Sequence, residues 1–589
     1  LEKQELIPVK RSPEKKREIS LVAGILLAAL VWQGFLFFSG RSPLDGDECY
    51  MAIQGLDIIR GARPVFYYSQ NYMGCIEAYL YAPLRLAFGS STPLAVKSLG
   101  AIQMILFLLS SYLLIRRFFE RATALVALLL LAFPPNMLAL WYLKIRGYMP
   151  LLLLGNAVFY FLFLLDVEEK EARGRNFLLL GILLGLSWWA NPVAVFYLAS
   201  SGMIVLLSSR LRNLLLKKSF STPQDIFING TAILILAILV SRSIIAPRRL
   251  ALLRFFYDFR PWILAGLGLA AAAAIVVYFR SRARNIFPAA ICLGFLTGNL
   301  PMLFIYWTNE FLNLKQSLGN LRSFWDNMTL SPVFVFPVMA GLTDVLSNEP
   351  SVMFGPAGWG LLSLVWICMG YYTIRRLGKE RRPFVYLMVF IGLTLLIYWA
   401  NNGLAWVQTR YLLVLYLPLL TLMACFIREL DRQARGLGVA ILALVIGFHL
   451  AGSVRLPREE LLLPSGKYPY ERDILNYCRD EGIERAFILD SDTGALRLTL
   501  FTEQKRIFLH PMGYFNRITR YEEAFLGDEE YNLFLPEDLP PAGSFIRSED
   551  NVPQFRRPSR PPDARLPGIH VYRSLSRKTI KELYNPYFM

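Results

Sequence analysis

The chain has 589 residues, of which 55% are hydrophobic, 14% aromatic and only 18% charged, with a formal net charge of +18. Soluble domains are less apolar and carry about 25% charged residues, whereas here about a dozen separate apolar runs each reach the length that crosses a ~30 Å hydrocarbon layer as helix. The Lys and Arg residues cluster in short segments between those runs, as orientation signals do, which argues against a nucleic-acid-binding protein.

Lys10, Arg11, Lys15, Lys16 and Arg17 precede the first apolar run, Ile19 to Phe38. That run is longer than a signal-peptide core and lacks a small-residue cleavage site, so it reads as a retained span. About thirteen spans are expected, near 19–38, 93–115, 122–141, 148–165, 176–190, 192–208, 226–245, 261–278, 286–306, 357–374, 384–400, 408–427 and 436–454. The basic clusters, from the N-terminal tail to Arg428/Arg432/Arg435, fall on one side of this arrangement and make that side cytoplasmic. The expected organisation is a cytoplasmic tail (1–18), a transmembrane domain (19–455) and a C-terminal extracytoplasmic segment (456–589).

Two outer segments, near 40–92 and 308–356, are too long to be plain connectors. The first reads as two amphipathic stretches, Asp47–Arg60 and Tyr72–Phe88, joined by a Gly61-Ala62-Arg63-Pro64 turn and lying along the membrane surface. The C-terminal segment mixes helical spacing over Tyr470–Asp480 with short strand candidates at Ala486–Leu489 and Ile569–Tyr572. With a Pro-rich extended arm at 553–567, it reads as a small α/β domain.

Chemistry concentrates at the expected outer interface. In Asp45-Gly46-Asp47-Glu48, Asp45 can cap a helix whose first turn holds Asp47 and Glu48, or a carboxylate can serve as general base. The two readings are compatible, because a helix start fixes the carboxylate. The run Phe66 to Gly74, with Tyr68, Gln70 and Tyr72, suits a sugar's C–H faces and hydroxyls; it also suits an interfacial aromatic belt. Asp45 also fits acceptor or sugar binding, and Glu77, within an apolar stretch, fits acceptor or sugar binding or a solvated helix face. Lys144, Arg146 and Arg410 violate the positive-inside pattern and abut apolar spans, which points to a specific phosphate; Arg242 to Arg260 can equally meet lipid headgroups. Transfer from a lipid-phosphate sugar needs this inventory: a base to deprotonate the acceptor as it attacks the anomeric carbon with inversion, and positive charge for the leaving phosphate.

Six cysteines without a CxxC pair and three histidines give no support to zinc or a His dyad. Asp45, Asp47, Glu48 and Glu77 could hold a divalent cation as hard oxygen ligands. Cys49 and Cys75 either bridge the two amphipathic stretches or are two buried thiols.

Asp47-Glu48, Gly55 to Gly61, Pro64 to Tyr68, Gln70 to Gly74 and Glu77-Ala78-Tyr79 together resemble the first outer loop of bacterial C-type membrane glycosyltransferases. The closest group includes protein O-mannosyltransferases, lipid A aminoarabinose transferases and rhizobial galacturonosyltransferases. Leu143 to Tyr148, Gly185 to Pro192, Gly298 to Pro301 and Arg410 to Pro418 are similar to later parts of that clan, and Leu496 to Thr499 with Phe501-Thr502 to the tail of related members. The resemblance implies that Asp47 is the base, with Glu48 beside it in the catalytic pair. It further implies a polyprenyl-phosphate sugar as donor, a lipid, glycan or protein as acceptor, no metal for a monophosphate donor, and the bacterial inner membrane as location. Asp45 stands as an extra carboxylate outside the pattern. The competing readings are a lipid or glycolipid transporter, expected to carry repeated halves and mid-span charges, and a non-catalytic envelope binding protein.

Overall fold

The computed structural model describes residues 13–41, 43–68, 70–168, 173–244, 286–302, 321–343, 355–376, 382–400, 405–456, 469–488, 492–509, 530–536, 561–566 and 569–576. Helix α1 (Pro13–Phe38) leads into the first loop, which holds α2 (Gly46–Ile59), a hairpin of β1 (Phe66–Tyr67) and β2 (Gln70–Gly74), and α3 (Ile76–Phe88). Then come α4 (Pro93–Phe118), α5 (Arg121–Ala132), α6 (Asn136–Leu143), α7 (Tyr148–Val167), α8 (Gly174–Ala190) and α9 (Val195–Leu207).

Among the described residues, six helices are long and apolar enough to cross a membrane: Lys15–Phe38, α4, α7, Arg382–Trp399, Thr409–Gln433 and Leu437–Val454. Two bent pairs raise the number to as many as eight. The expected span at 122–141 is one of them, α5 and α6 meeting at 72°. Pro134 and Pro135 remove two amide donors at that break, and the exposed Phe133 carbonyl is met by the His449 ring at 2.8 Å. The expected spans at 19–38, 93–115, 148–165, 384–400, 408–427 and 436–454 are the six, and 192–208 is the first arm of the second bent pair. Those at 176–190, 226–245, 286–306 and 357–374 correspond to helices that are not among these, and 261–278 with parts of 308–356 lies outside the described residues.

Among the described residues, α8 packs with its backbone in close contact with the Phe287–Gly298 helix. Gly181 and Gly185 face Gly294 and Gly298 four residues apart on each side, and a Cβ at any of them would stand 2.2 Å from a carbonyl oxygen of the other helix. Without a hydrophobic drive between helices in lipid, small residues that let backbones touch are what hold such a pair.

The second amphipathic stretch is not helical from its start. Tyr72 to Gly74 belong to β2, paired antiparallel with β1, and the helix begins at Ile76. Gly74 explains the change: a Cβ there would meet the Trp189 carbonyl at 2.7 Å, so β2 is pressed against α8 where an added helical turn has no room.

In the C-terminal segment, a five-stranded sheet runs β4-β3-β5-β7-β6, formed by β3 (Arg485–Ile488), β4 (Ile507–Leu509), β5 (Glu530–Pro536), β6 (Ala564–Leu566) and β7 (Ile569–Ser576). β3 pairs parallel with β4 and β5, and β7 pairs antiparallel with β5 and β6. Period-two alternation gives the sheet two buried faces. Leu533, Leu535 and Tyr572 join the core of α2 and α3, while Phe534 and Val571 pack with Ile474 and Cys478 of the Pro469–Asp480 helix. The sheet is thus seated directly on the first loop.

Candidate functional site

The site begins with a helix cap. Asp45 accepts the Glu48 amide at 3.1 Å, and Glu48 returns a bond to the Asp45 amide at 3.2 Å, a complete capping box that fixes the first turn of α2. Asp47 sits between the two and projects elsewhere. Glu48 is fully buried and grips Lys97 of α4 at 2.7 and 2.8 Å; Lys97 also donates to the Leu143 carbonyl at 2.8 Å. Glu48 further accepts the Ile145 amide at 3.2 Å. Burial pushes the Glu48 carboxyl up, and Lys97 opposes that shift.

Asp45 is paired with Lys144 at 2.9 Å and with the Arg146 guanidinium. Burial works against its charge, but Arg146 and Lys144 together hold the Asp45 carboxyl well below the usual range. Arg146 also reaches Asp47 at 3.5 Å. The capping reading of Asp45 is therefore realised, and two of the expected phosphate-binding residues are themselves held by carboxylates of α2.

A cleft of about 280 Å³, a figure that includes space open to solvent, is lined by Asp47, Tyr50, Tyr67, Tyr68, Gln70, Met73, Ile145 and Arg146. Asp47 is the one carboxylate among those lining residues. Gln70 approaches it with its amide nitrogen at 3.5 Å, and Tyr68 donates its hydroxyl to buried Asp57. Tyr67 donates to Glu77 at 2.7 Å. Glu77 is fully buried and also accepts the Gly147 amide at 2.6 Å, so it is an internal strut between the hairpin and the Lys144–Gly147 turn rather than a solvated residue. Burial pushes its carboxyl up to about 7, against those two hydrogen bonds. Gly147 at φ +76° is the left-handed residue that turns the chain from Arg146 into α7.

Arg410 and Tyr72 lie beside the cleft, not in its lining. Arg410 stacks over Tyr411 at 5.8 Å, and both Arg410 and Tyr72 interact electrostatically with Tyr148 at the start of α7, as Arg146 does. Arg410 also feels the charge of Arg146. The residues singled out in the first loop and in the loop after the third expected span thus converge on one place. Lys97, Tyr50, Tyr67 and Asp57 were not singled out as site residues. For Lys97 a signal existed: a lysine a turn inside an apolar span demands a partner.

Among the described residues no three His, Cys, Asp or Glu side chains come together as a metal set. Asp45 and Glu48 face cations and Glu77 faces hydrogen-bond donors, so this carboxylate group does not converge on one point. Cys49 and Cys75 are both buried thiols that no disulfide joins; the Cys75 thiol donates to the Pro64 carbonyl at 3.1 Å, and burial pushes it up to about 12.

No family model matches this sequence, and no curated protein does. Among solved structures the chain is similar to ArnT from Cupriavidus metallidurans bound to undecaprenyl phosphate, at 12% identity and a TM-score of 0.50, covering 95% of this chain and 98% of that one. The archaeal oligosaccharyltransferase AglB from Archaeoglobus fulgidus, in complex with an inhibitory peptide and a dolichol-phosphate, matches at 14% identity and a TM-score of 0.45, over 89% of this chain and 70% of that one. The first likeness runs through nearly all of both chains. The chain shares the fold of ArnT, in line with the first-loop resemblance.

Proposed function

We propose that this protein is a multi-pass membrane glycosyltransferase that moves a sugar from a polyprenyl-phosphate donor to an acceptor hydroxyl at the extracytoplasmic face, with inversion and with Asp47 as general base. In this reading the chain crosses the membrane about thirteen times with its N-terminus cytoplasmic, and the C-terminal segment is extracytoplasmic.

One observation carries the reading. Asp45 and Glu48 are held by Lys144, Arg146 and Lys97, while Asp47, between them and within 3.5 Å of Arg146, also faces a cleft walled by tyrosines and an amide. The cap and its ion pairs pin the backbone on both sides of Asp47, which aims its carboxylate without burying it. Tyrosine rings offer stacking faces for a sugar and Gln70 offers hydrogen bonds; Glu77 supports this wall from behind through Tyr67, and Tyr72 stands on the same hairpin. Arg146 lines the cleft and Arg410 feels its charge nearby, so the positive charge suited to a leaving phosphate stands at this end of the site. No step here calls for a metal.

The test is the Asp47→Asn variant, read with the lipid that co-purifies with the full chain. The donor's headgroup should be visible by mass spectrometry of that lipid. Turnover of it should drop ~10²–10⁴-fold in the variant, the usual contribution of a general base. Turnover like that of the wild type rejects Asp47 as base.

A further inference from the structure

The turn that follows the Asp492–Phe501 helix carries two successive non-glycine residues in the left-handed region, Glu503 at φ 54° and Gln504 at φ 65°. Side chains with a Cβ rarely adopt this conformation, and two in a row persist only where the surroundings over-determine them. The surroundings here are the first loop. Glu503 takes Arg85 of α3 in an ion pair at 2.5 Å and the Ser91 amide at 3.3 Å, and its carbonyl accepts from Arg60 at 2.7 Å. Gln504 donates to Asp57 of α2 at 3.1 Å.

Asp57 is the joint. It is 2% exposed, one oxygen accepts Gln504, and the other accepts the hydroxyl of Tyr68, which lines the cleft with Asp47. A continuous path therefore runs from a turn near residue 500, through a buried carboxylate, to the wall of the cleft.

We propose that Glu503 and Gln504 are positioning residues: the C-terminal turn clamps α2 to α3, and through Asp57 it sets the Tyr68 ring that shapes the cleft. The strained backbone is what carries both side chains to the first loop at once, since each of the two adjacent residues reaches a different helix. The C-terminal segment is then a structural part of the cleft rather than an appended module. What the cleft takes rests on the reading given above; the coupling itself does not.

The experiment uses the full chain in lipid nanodiscs, with amide hydrogen exchange followed over 66–74 and over α4, and with undecaprenyl phosphate as the binding probe. Gln504→Ala removes the donor to Asp57; Gln504→Gly removes it without backbone strain and serves if the alanine variant fails to fold. Exchange over 66–74 should quicken about tenfold, the worth of one hydrogen bond to a charged group, while α4 is unchanged. In a Tyr68→Phe background, where the hydroxyl link is already gone, the same substitution should change exchange less than twofold. A merely structural role for the turn predicts equal effects in both backgrounds, and that result, or unchanged exchange over 66–74, overturns the clamp. Undecaprenyl phosphate should bind the Gln504 variants several-fold more weakly, with equal binding counting against a role in the site. If the wild type does not bind this probe at all, the donor assignment fails, and the exchange cycle still decides the clamp.

Discussion

Glu48 and Lys97 meet with side chains 0% and 3% exposed, in a place where neither charge has water to fall back on. Removing one partner of such a pair leaves the other buried and unmatched, at a cost of roughly 3–5 kcal/mol. Lys97→Met should therefore destabilise severely, and Lys97→Met with Glu48→Gln should recover much of the loss, because a glutamine oxygen still accepts the Ile145 amide. Thermal unfolding of the two variants in detergent checks this; a double variant no better than the single would mean that the charge pair is not the source of the effect. Glu77 offers a different test. Its folded-state carboxyl is raised to about 7 from the ordinary value of 4.5, so the folded state holds a proton that the unfolded chain releases earlier. The stability it contributes is complete below pH ~4.5 and is lost as the pH rises through ~7, at up to about 1.4 kcal/mol per unit. Glu77→Gln abolishes this slope, so the difference in melting temperature between variant and wild type should grow from pH 5 to 7 and then level off. A constant difference over that range would show that Glu77 titrates elsewhere.

At the scale of elements, the four glycines between α8 and the Phe287–Gly298 helix make a sharp contrast with Gly34 of α1. Gly185→Val inserts atoms where a Cβ already stands 2.2 Å from the Phe295 carbonyl, and overpacking of this kind costs about 1–3 kcal/mol or more. Gly34→Ala in α1, with nothing within 4 Å, should leave the melting temperature unchanged or raise it slightly. Equal effects of the two substitutions would refute close packing of the pair. The elements also differ in how far they can be read in advance. The Tyr470–Asp480 spacing emerged close to the observed helix Pro469–Asp480, and the Ile569 strand was found at its start but runs four residues beyond Tyr572, to Ser576. The strand Ile507–Leu509 did not, since three residues leave no period to see and it pairs with β3 across a helix; Glu530–Pro536 was not read in advance either. The hairpin at Tyr72–Gly74 was hidden for another reason: its conformation is imposed by Trp189, more than a hundred residues away. Apolar length located the helices of the bundle, yet it could not foresee the 72° break of α5 from α6, although Pro134-Pro135 marked the place.

Taken as a whole molecule, the site is a meeting of distant segments. The acidic motif announced Asp45, Asp47 and Glu48, and the misplaced basic residues announced Lys144, Arg146 and Arg410. Which carboxylate is spent on which cation could be read only from three dimensions, because local sequence holds no information on pairing across fifty or a hundred residues. The same separation bears on how the protein comes into being. Gln504 follows Asp57 by 447 positions. A ribosome adding about 5–20 residues per second needs roughly twenty to ninety seconds to cover that stretch. Throughout that interval α2 and α3 have emerged without the sheet that will cover Leu56, Tyr81 and their neighbours. The nascent chain therefore carries an unfinished first loop, whose last wall is delivered only once residue 504 and the sheet strands have been made.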